Sequence, residues 1–250
     1  MPRPNPVQRC RAMGPSRGVS ASSLWTPTLL NGNVLWLKAN GSYETTFGGG
    51  GGAVAAGGPV GRWRDASGAG NHADAPSDAK RPTRSTDGRG VKGNGSSLTL
   101  LTPATTLPAV AGAGWSVFFK WRRTSVASDS TAAIAYRTFN DYRWGNFGTG
   151  GVGAYFDGTV RQPIAPADLN ENVVGIVAAT SGGGTLYNHD GTTRAFVNYP
   201  DTVAIGLSVL SHNDAADGQF SNDTIIELVA YNRALSATEA ARVRTYLATV

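Results

Sequence analysis

The sequence predicts an all-β protein, an antiparallel sandwich followed by one short C-terminal helix. Of its 250 residues, 33 are Gly and 13 are Pro, whereas only 16% are charged and four are Glu. This composition suits many short strands joined by tight turns and is poor material for helices. Apolar residues make up 40% of the chain, which is enough to build a core.

Residues 1–24 are predicted to form an N-terminal arm, because their Pro, Gly, Ser and Arg residues bury too little apolar surface to fold alone. Its basic residues are Arg3, Arg9, Arg11 and Arg17. Removing these four charges from the net charge of +5 leaves +1 for the rest of the chain. The arm lacks the interleaved aromatic residues typical of nucleic-acid binding and is too polar for a membrane anchor. We expect these arginines to bind a partner protein or a neighbouring copy.

The body, residues 25–250, is predicted to be one domain of short strands. The predicted strands are Val34–Leu37, Trp115–Arg123, Ala132–Tyr136, Gly151–Phe156, Val173–Ala178, Thr185–Tyr187, Arg194–Val197, Val203–Leu207 and Ile225–Tyr231. Trp115, Val117, Phe119 and Trp121 alternate with Ser116, Phe118, Lys120 and Arg122, so each set is expected to share one strand face. Strands recurring at this spacing favour a sandwich or barrel.

One helix is predicted at the C-terminus. Ser236 and Glu239 form a capping box, in which each side chain accepts from the backbone N–H of the other residue. An apolar stripe follows at helical spacing, made of Ala240, Val243, Tyr246 and Leu247.

Three stretches of the body together carry a family resemblance. They are Leu35–Ala39 followed by Val60–Ala73, then Arg81–Thr83 with Ser97–Leu100, and finally Ile226–Glu239 with its helix. In this order they resemble the concanavalin A-like lectin/glucanase superfamily in its laminin-G-like form, over residues 25–250. Ser23–Pro27 followed by Leu35-Trp36-Leu37 is similar to modules of bacteriophage virion and tail-associated proteins. The resemblance implies a jelly roll of two curved antiparallel sheets.

Catalytic residues are not predicted. The glucanase members of this superfamily use paired carboxylates in a Glu-x-Asp-x-Glu pattern, which this chain lacks. Asp74 and Asp78 are separated by Pro76, and a pair built from distant strands is left open. Glu227 is expected to share a strand face with Ile225, Val229 and Tyr231 and to be half-buried and paired with an Arg or a backbone N–H, with a catalytic acid as the alternative.

A glycan site is an alternative interpretation of one aromatic segment. Tyr136, Tyr142, Arg143, Trp144 and Asn146 combine aromatic rings with side chains that bond sugar hydroxyls. The competing interpretation is a strand edge and loop that complete the sandwich. Some relatives bind calcium at a loop rim, where Asp157, Asn213, Asp214 and Asp217 are the candidate ligands, without a characteristic spacing. No other cofactor is predicted.

The predicted function is that of a non-enzymatic structural protein of a phage-like virion, either a capsid decoration or tail-associated. Its arm would bind capsid or tail proteins, and multiple copies would display a lectin-like domain on the virion surface. The alternative is a carbohydrate-binding adhesin that recognises host-surface glycans. A third hypothesis is a polysaccharide hydrolase.

Overall fold

The structure is a computed structural model that describes most of the body. The described residues are 25–109, 113–124, 131–136, 143–147, 151–156, 159–165, 170–180, 183–197, 204–212 and 219–250. The predicted arm, with Arg3, Arg9, Arg11 and Arg17, lies outside them.

Strands dominate the described residues. In chain order they are β1 (Asn33–Leu37), β2 (Tyr43–Glu44), β3 (Arg62–Trp63), β4 (Ala73–Asp74), β5 (Thr83–Arg84), β6 (Val91–Lys92), β7 (Leu100–Leu101), β8 (Trp115–Arg122), β9 (Thr131–Tyr136), β10 (Arg143–Phe147), β11 (Gly151–Phe156), β12 (Thr159–Ala165), β13 (Glu171–Ala178), β14 (Gly183–Tyr187), β15 (Thr193–Val197), β16 (Leu207–Val209) and β17 (Thr224–Tyr231). Short 3-10 helices occupy Pro27–Leu29 and Asp78–Lys80, and helix α1 spans Ala237–Thr249. Among these residues no helix is long and apolar enough to cross a membrane.

Two antiparallel sheets form the molecule. Within the described ranges, the eight-stranded sheet has the order β15-β14-β13-β8-β17-β6-β5, with β1 pairing the other half of the β17 edge. The nine-stranded sheet has the order β12-β11-β10-β9-β16-β7-β4-β3-β2. The predicted mostly-β architecture of two antiparallel sheets with one C-terminal helix is therefore confirmed.

Strand β8 separates two apolar clusters by its alternation. Trp115, Val117, Phe119 and Trp121 lie in the core between the two sheets. Phe118 points to the other face of the sheet and packs with the residues beneath helix α1. The predicted division of this strand into two faces is confirmed, and it places helix α1 on the outer face of the eight-stranded sheet.

Helix α1 docks on that outer face through its predicted stripe. The helix cluster comprises Trp36, Phe118, Val173, Val177, Tyr187, Val229, Tyr231, Leu235, Ala240, Val243 and Leu247, with Tyr246 partly buried against it. The capping box is present: the Glu239 N–H donates to Ser236 Oγ at 3.3 Å, and Glu239 Oε2 accepts from the Ser236 N–H at 2.9 Å. Arg233 adds two bonds to the same carboxylate at 2.6 and 3.0 Å. The start of the helix is therefore stabilised both by the capping hydrogen bonds to backbone N–H groups and by the ion pair with Arg233.

One predicted strand is displaced. The run Val203–Leu207 was expected to form a strand, but β16 covers Leu207–Val209, and Ile205 makes only an isolated bridge to Leu107. The reason is the strand register. Both neighbouring strands, β7 and β9, pair with Ser208 and Val209, and this pairing determines which residues form β16.

The carboxylate of Glu239 is expected to stabilise the protein in a pH-dependent way. Its hydrogen bonds with Arg233 and the Ser236 N–H lower its pKa to about 2. A lowered pKa means that the stabilisation is complete above the unfolded value of about 4.3 and is lost as the pH falls through about 2. Glu239→Gln should therefore lower Tm at pH 7, and the difference from wild type should shrink on acidification.

Circular dichroism melts between neutral pH and pH 3 test this. Asp78→Asn is the matched control, because it removes an exposed carboxylate that lies 3.5 Å from Arg81 and does not contact Glu239, and such exposed pairs contribute at most about 1 kcal/mol. A Glu239→Gln deficit that is equally large at both ends of the pH range would contradict the assignment.

Candidate functional site

A polar cleft lies between the outer face of the eight-stranded sheet and helix α1. It encloses about 390 Å³. Its lining residues are Lys120, Glu171, Asn172, Val173, His189, Ala241, Arg244, Thr245 and Ala248. Lys120 comes from β8, Glu171 from β13, and His189 from the turn between β14 and β15. The polar cleft thus draws on two neighbouring strands, the β14–β15 turn and the helix.

Strand register brings the charged floor of the cleft together. In the β8–β13 ladder Arg122 is opposite Glu171, and Lys120 is opposite Val173. Residues opposite each other in an antiparallel pair share a face, as do positions two apart on one strand. Lys120, Arg122 and Glu171 therefore all lie on the outer face, next to the helix.

Glu171 is the centre of an ion cluster made of Glu171, Lys120, Arg89, Arg122 and Asp87. Its oxygens lie 2.9 Å from Lys120 Nζ, 2.9 and 3.1 Å from the two terminal nitrogens of Arg89, and 3.4 Å from Arg122 Nη1. Burial opposes ionisation of Glu171, but the bonds from Lys120 and Arg89 outweigh it and hold the pKa below its usual range. The carboxylate is therefore ionised at neutral pH.

The same cluster holds Arg122 from its other side. Arg122 Nη1 lies 2.8 Å from Asp87 Oδ2, and the Asp87 carboxylate also accepts from the Ser85 hydroxyl at 2.6 Å. Lys120 and Arg89 both donate to the carbonyl oxygen of Val250, just beyond the helix. Cations near the carboxyl end of a helix are favoured by the helix dipole. The cluster therefore links the end of helix α1 to the floor of the cleft.

Arg244 closes the opposite side of the cleft. Its Nη2 donates to the carbonyl oxygen of Asn188 at 2.9 Å, and its guanidinium lies 5.9 Å from the centre of the Tyr187 ring. Burial lowers the pKa of Arg244 from its ordinary value. The residue ties the helix to the β14–β15 turn and leaves the exposed side chains of His189 and Thr245 at the rim. Donors and an acceptor carboxylate thus converge on one concave surface.

Glu227, which the sequence placed in a half-buried pair, is in fact completely buried. The Trp36 indole N–H donates to Oε1 at 2.6 Å, and the Ala39 N–H donates to Oε2 at 2.9 Å. Burial raises its pKa despite these bonds. Glu227 lies under helix α1 and does not line the cleft, so its role is to hold β1 and the helix against β17.

The predicted glycan residues lie on the other sheet. Tyr136 is on β9, whereas Arg143, Trp144 and Asn146 are on the adjacent β10, where Trp144 is opposite Ile134 in register. Tyr142 lies outside the described residues. These strands are part of the nine-stranded sheet, so the structure does not bring them to the polar cleft. Their glycan role stays a prediction.

The predicted calcium ligands all lie outside the described residues. They are Asp157, Asn213, Asp214 and Asp217. Within the described part of the chain, no group of three or more His, Cys, Asp or Glu side chains is arranged to hold a metal ion. The calcium site also stays a prediction.

Sequence reasoning did not identify the polar cleft. Lys120 and Arg122 were visible as cations on one face of an otherwise apolar strand. Their carboxylate partner Glu171 comes from a strand 49 residues further along the chain than Arg122. The sequence did contain one indication of the cleft: two charged residues at alternate positions of a buried strand. A charge in such a position needs a partner of opposite charge.

No protein-family model matches this chain, and no curated protein sequence matches it. Solved structures do share the fold. A mutant of Trypanosoma rangeli sialidase with trans-sialidase activity matches with a TM-score of 0.59 and 13% identity, covering 87% of this chain and 33% of the sialidase chain. The same sialidase in complex with sialic acid matches with a TM-score of 0.57 and 14% identity, covering 83% and 36%.

A mutant of a GH54 α-L-arabinofuranosidase also shares the fold, with a TM-score of 0.57 and 13% identity over 86% of this chain and 59% of that one. This chain thus spans about a third of the sialidase chains and three-fifths of the arabinofuranosidase. At these identities the likeness shows the fold alone.

The comparisons contradict the predicted non-enzymatic structural protein of a phage-like virion, and with it the prediction that the protein is not an enzyme. The three structures reported above are glycosidases, and none of them is a virion, capsid or tail protein. The prediction was wrong because it rested on a short opening motif and an arm, whereas the sandwich itself is one that glycosidases contain. The arm's binding to capsid or tail proteins and the virion-surface location stay predictions.

Glu171→Gln is expected to destabilise the fold, because an amide places an N–H group among three cations. Losing these charged bonds should reduce the free energy of unfolding by about 1–3 kcal/mol at neutral pH. Since the pKa of Glu171 is lowered, its contribution is present above the usual Glu pKa and disappears as the pH falls through the lowered value.

Urea unfolding of wild type and variant measures the effect. Asp78→Asn is the control, because the exposed Asp78 carboxylate lies 3.5 Å from Arg81 and such pairs contribute at most about 1 kcal/mol. Equal stabilities of Glu171→Gln and wild type at neutral pH would remove Glu171 from the centre of the ion cluster.

Proposed function

We propose that the chain is a saccharide-binding domain of a carbohydrate-active enzyme and that it binds saccharide in the polar cleft. The observation that carries the proposal is the lining of the cleft, where Lys120, Arg244 and Thr245 supply donors and Glu171 supplies an acceptor. Sugar hydroxyls both donate and accept hydrogen bonds, so they require such a mixture on one surface. The shared fold with a sialidase and an arabinofuranosidase supports the same class.

Rigid placement of these groups favours binding. Glu171 is held by three cations, and Arg244 is held by Asn188. Side chains that are already fixed lose little entropy when a ligand orders them. At about 390 Å³ the cleft falls within the usual range of roughly 300–1,000 Å³ for small-ligand pockets. A mono- or disaccharide unit matches this size.

We also infer that the sandwich has the jelly-roll connectivity of the concanavalin A-like superfamily. Two crossovers support this: β8 lies between β13 and β17, and β16 lies between β7 and β9. Strands that are adjacent in space but distant along the chain are typical of Greek-key arrangements, from which jelly rolls are built.

The double variant His189→Ala/Thr245→Val is expected to weaken saccharide binding by about tenfold, equivalent to one or two lost hydrogen bonds. Both side chains are exposed at the rim, so the fold should be unaffected. A glycan array identifies the ligand, isothermal titration calorimetry gives its affinity, and a reducing-sugar assay on the same saccharide detects hydrolysis.

Thr249→Val is the matched control, because Thr249 lies on the same helix but does not line the cleft. Binding that is unchanged in the double variant would place the saccharide elsewhere. An array without any saccharide signal would reject the proposed function.

A further inference from the structure

A second cavity opens on the same outer face of the eight-stranded sheet, beyond the ion cluster. This basic pocket encloses about 280 Å³. It is lined by Thr83, Arg84, Ser85, Thr86, Lys92, Arg122, Arg123, Thr124 and Thr224. The lining thus contains four cationic side chains, five hydroxyl groups and no carboxylate. Such a surface favours a negatively charged ligand that also offers hydroxyl groups.

Strand register arranges the donors of the basic pocket in one row. Thr83 is opposite Lys92, Lys92 is opposite Thr224, and Thr224 is opposite Arg122. Cross-strand neighbours have Cβ atoms about 5 Å apart on the same face. Hydroxyl, ammonium, hydroxyl and guanidinium groups therefore alternate across four adjacent strands, and neighbouring groups are close enough to contact the same small ligand.

Three cations that line the basic pocket differ in how far their charge is already neutralised. Arg122 is oriented by Asp87 and Glu171, with which it forms ion pairs of 2.8 and 3.4 Å. Arg84 donates to the carbonyl oxygens of Val54 and Gly88 and has no carboxylate partner among the described residues. Lys92 is exposed and likewise lies beyond ion-pair distance of every described carboxylate. The pocket therefore keeps a net positive charge that an anion can neutralise.

We propose that the basic pocket binds an oxyanion carried on a sugar ring, either a carboxylate or a sulfate ester. The inference rests on the proposed saccharide function and adds a charged subsite to it. Lys92 and Arg122 would hold the anion by charge-assisted hydrogen bonds, and Thr83 would bond a ring hydroxyl. The volume is smaller than that of most drug-sized pockets, which suits a single charged sugar unit. The pocket contains no aromatic ring on which a nucleic-acid base could stack.

Calorimetry with the full chain tests the subsite with a galacturonate disaccharide, galactose 6-sulfate, neutral galactose and a short single-stranded DNA oligonucleotide. We expect at least one charged sugar to bind about tenfold more tightly than galactose, and its affinity to fall as salt is added. Comparing the galacturonate and the sulfated sugar identifies the oxyanion. Lys92→Gln should remove the preference for the charged sugar and leave galactose binding unchanged.

Lys38→Gln is the matched control, because Lys38 is also exposed but lies directly after β1 and does not line the basic pocket. The proposal is overturned if Lys92→Gln binds the charged sugar as wild type does, or if charged and neutral sugars bind equally. It is also overturned if the oligonucleotide binds more tightly than the sugars and depends on Lys92. Binding of neutral sugar alone would reject the charged subsite only, whereas binding of no saccharide would reject the proposed function as well.

Discussion

The alternation of side chains along β8 is the constraint on which the rest of the structure depends. This strand pairs with β13 over its whole length and with β17 on its other side, so it is central to the eight-stranded sheet. Its inward residues supply three of the aromatic rings in the core between the sheets. A shift of one residue would exchange its two faces and place Lys120 and Arg122 in that core. The register of β8 in the sheet is therefore strongly determined by the difference between its apolar and charged faces.

Each outward residue of β8 contacts a different feature of the outer face. Ser116 Oγ donates to the Arg233 carbonyl and accepts from the Leu235 N–H, which positions the chain entering helix α1. Phe118 packs in the helix cluster, and Lys120 forms the floor of the polar cleft. Arg122 reaches the basic pocket. One strand thus sets the helix, the cleft and the pocket at fixed positions relative to one another.

Local patterns made much of the fold predictable, whereas the site depends on contacts that sequence does not show. The β8 alternation and the capping box are encoded within a few residues, and both are present as predicted. The environment of Glu227 was predicted in part: its backbone N–H partner and the face it shares with Val229 and Tyr231 are present. A β-bulge between Ile225 and Glu227 places Ile225 on the opposite face, and the carboxylate is completely buried. Glu171 meets Arg89 across 82 residues of sequence, and no local pattern encodes that pairing.

The polar cleft and the basic pocket are joined through one ion pair, between Glu171 and Arg122. Glu171 lines the cleft and Arg122 lines the pocket, with 3.4 Å between the charged atoms. An anion beside Arg122 would compete with Glu171 for the guanidinium group. Glu171 would then depend more on its ion pairs with Lys120 and Arg89. The two cavities are therefore best understood as parts of one charged surface, organised by the outward face of β8 and β13.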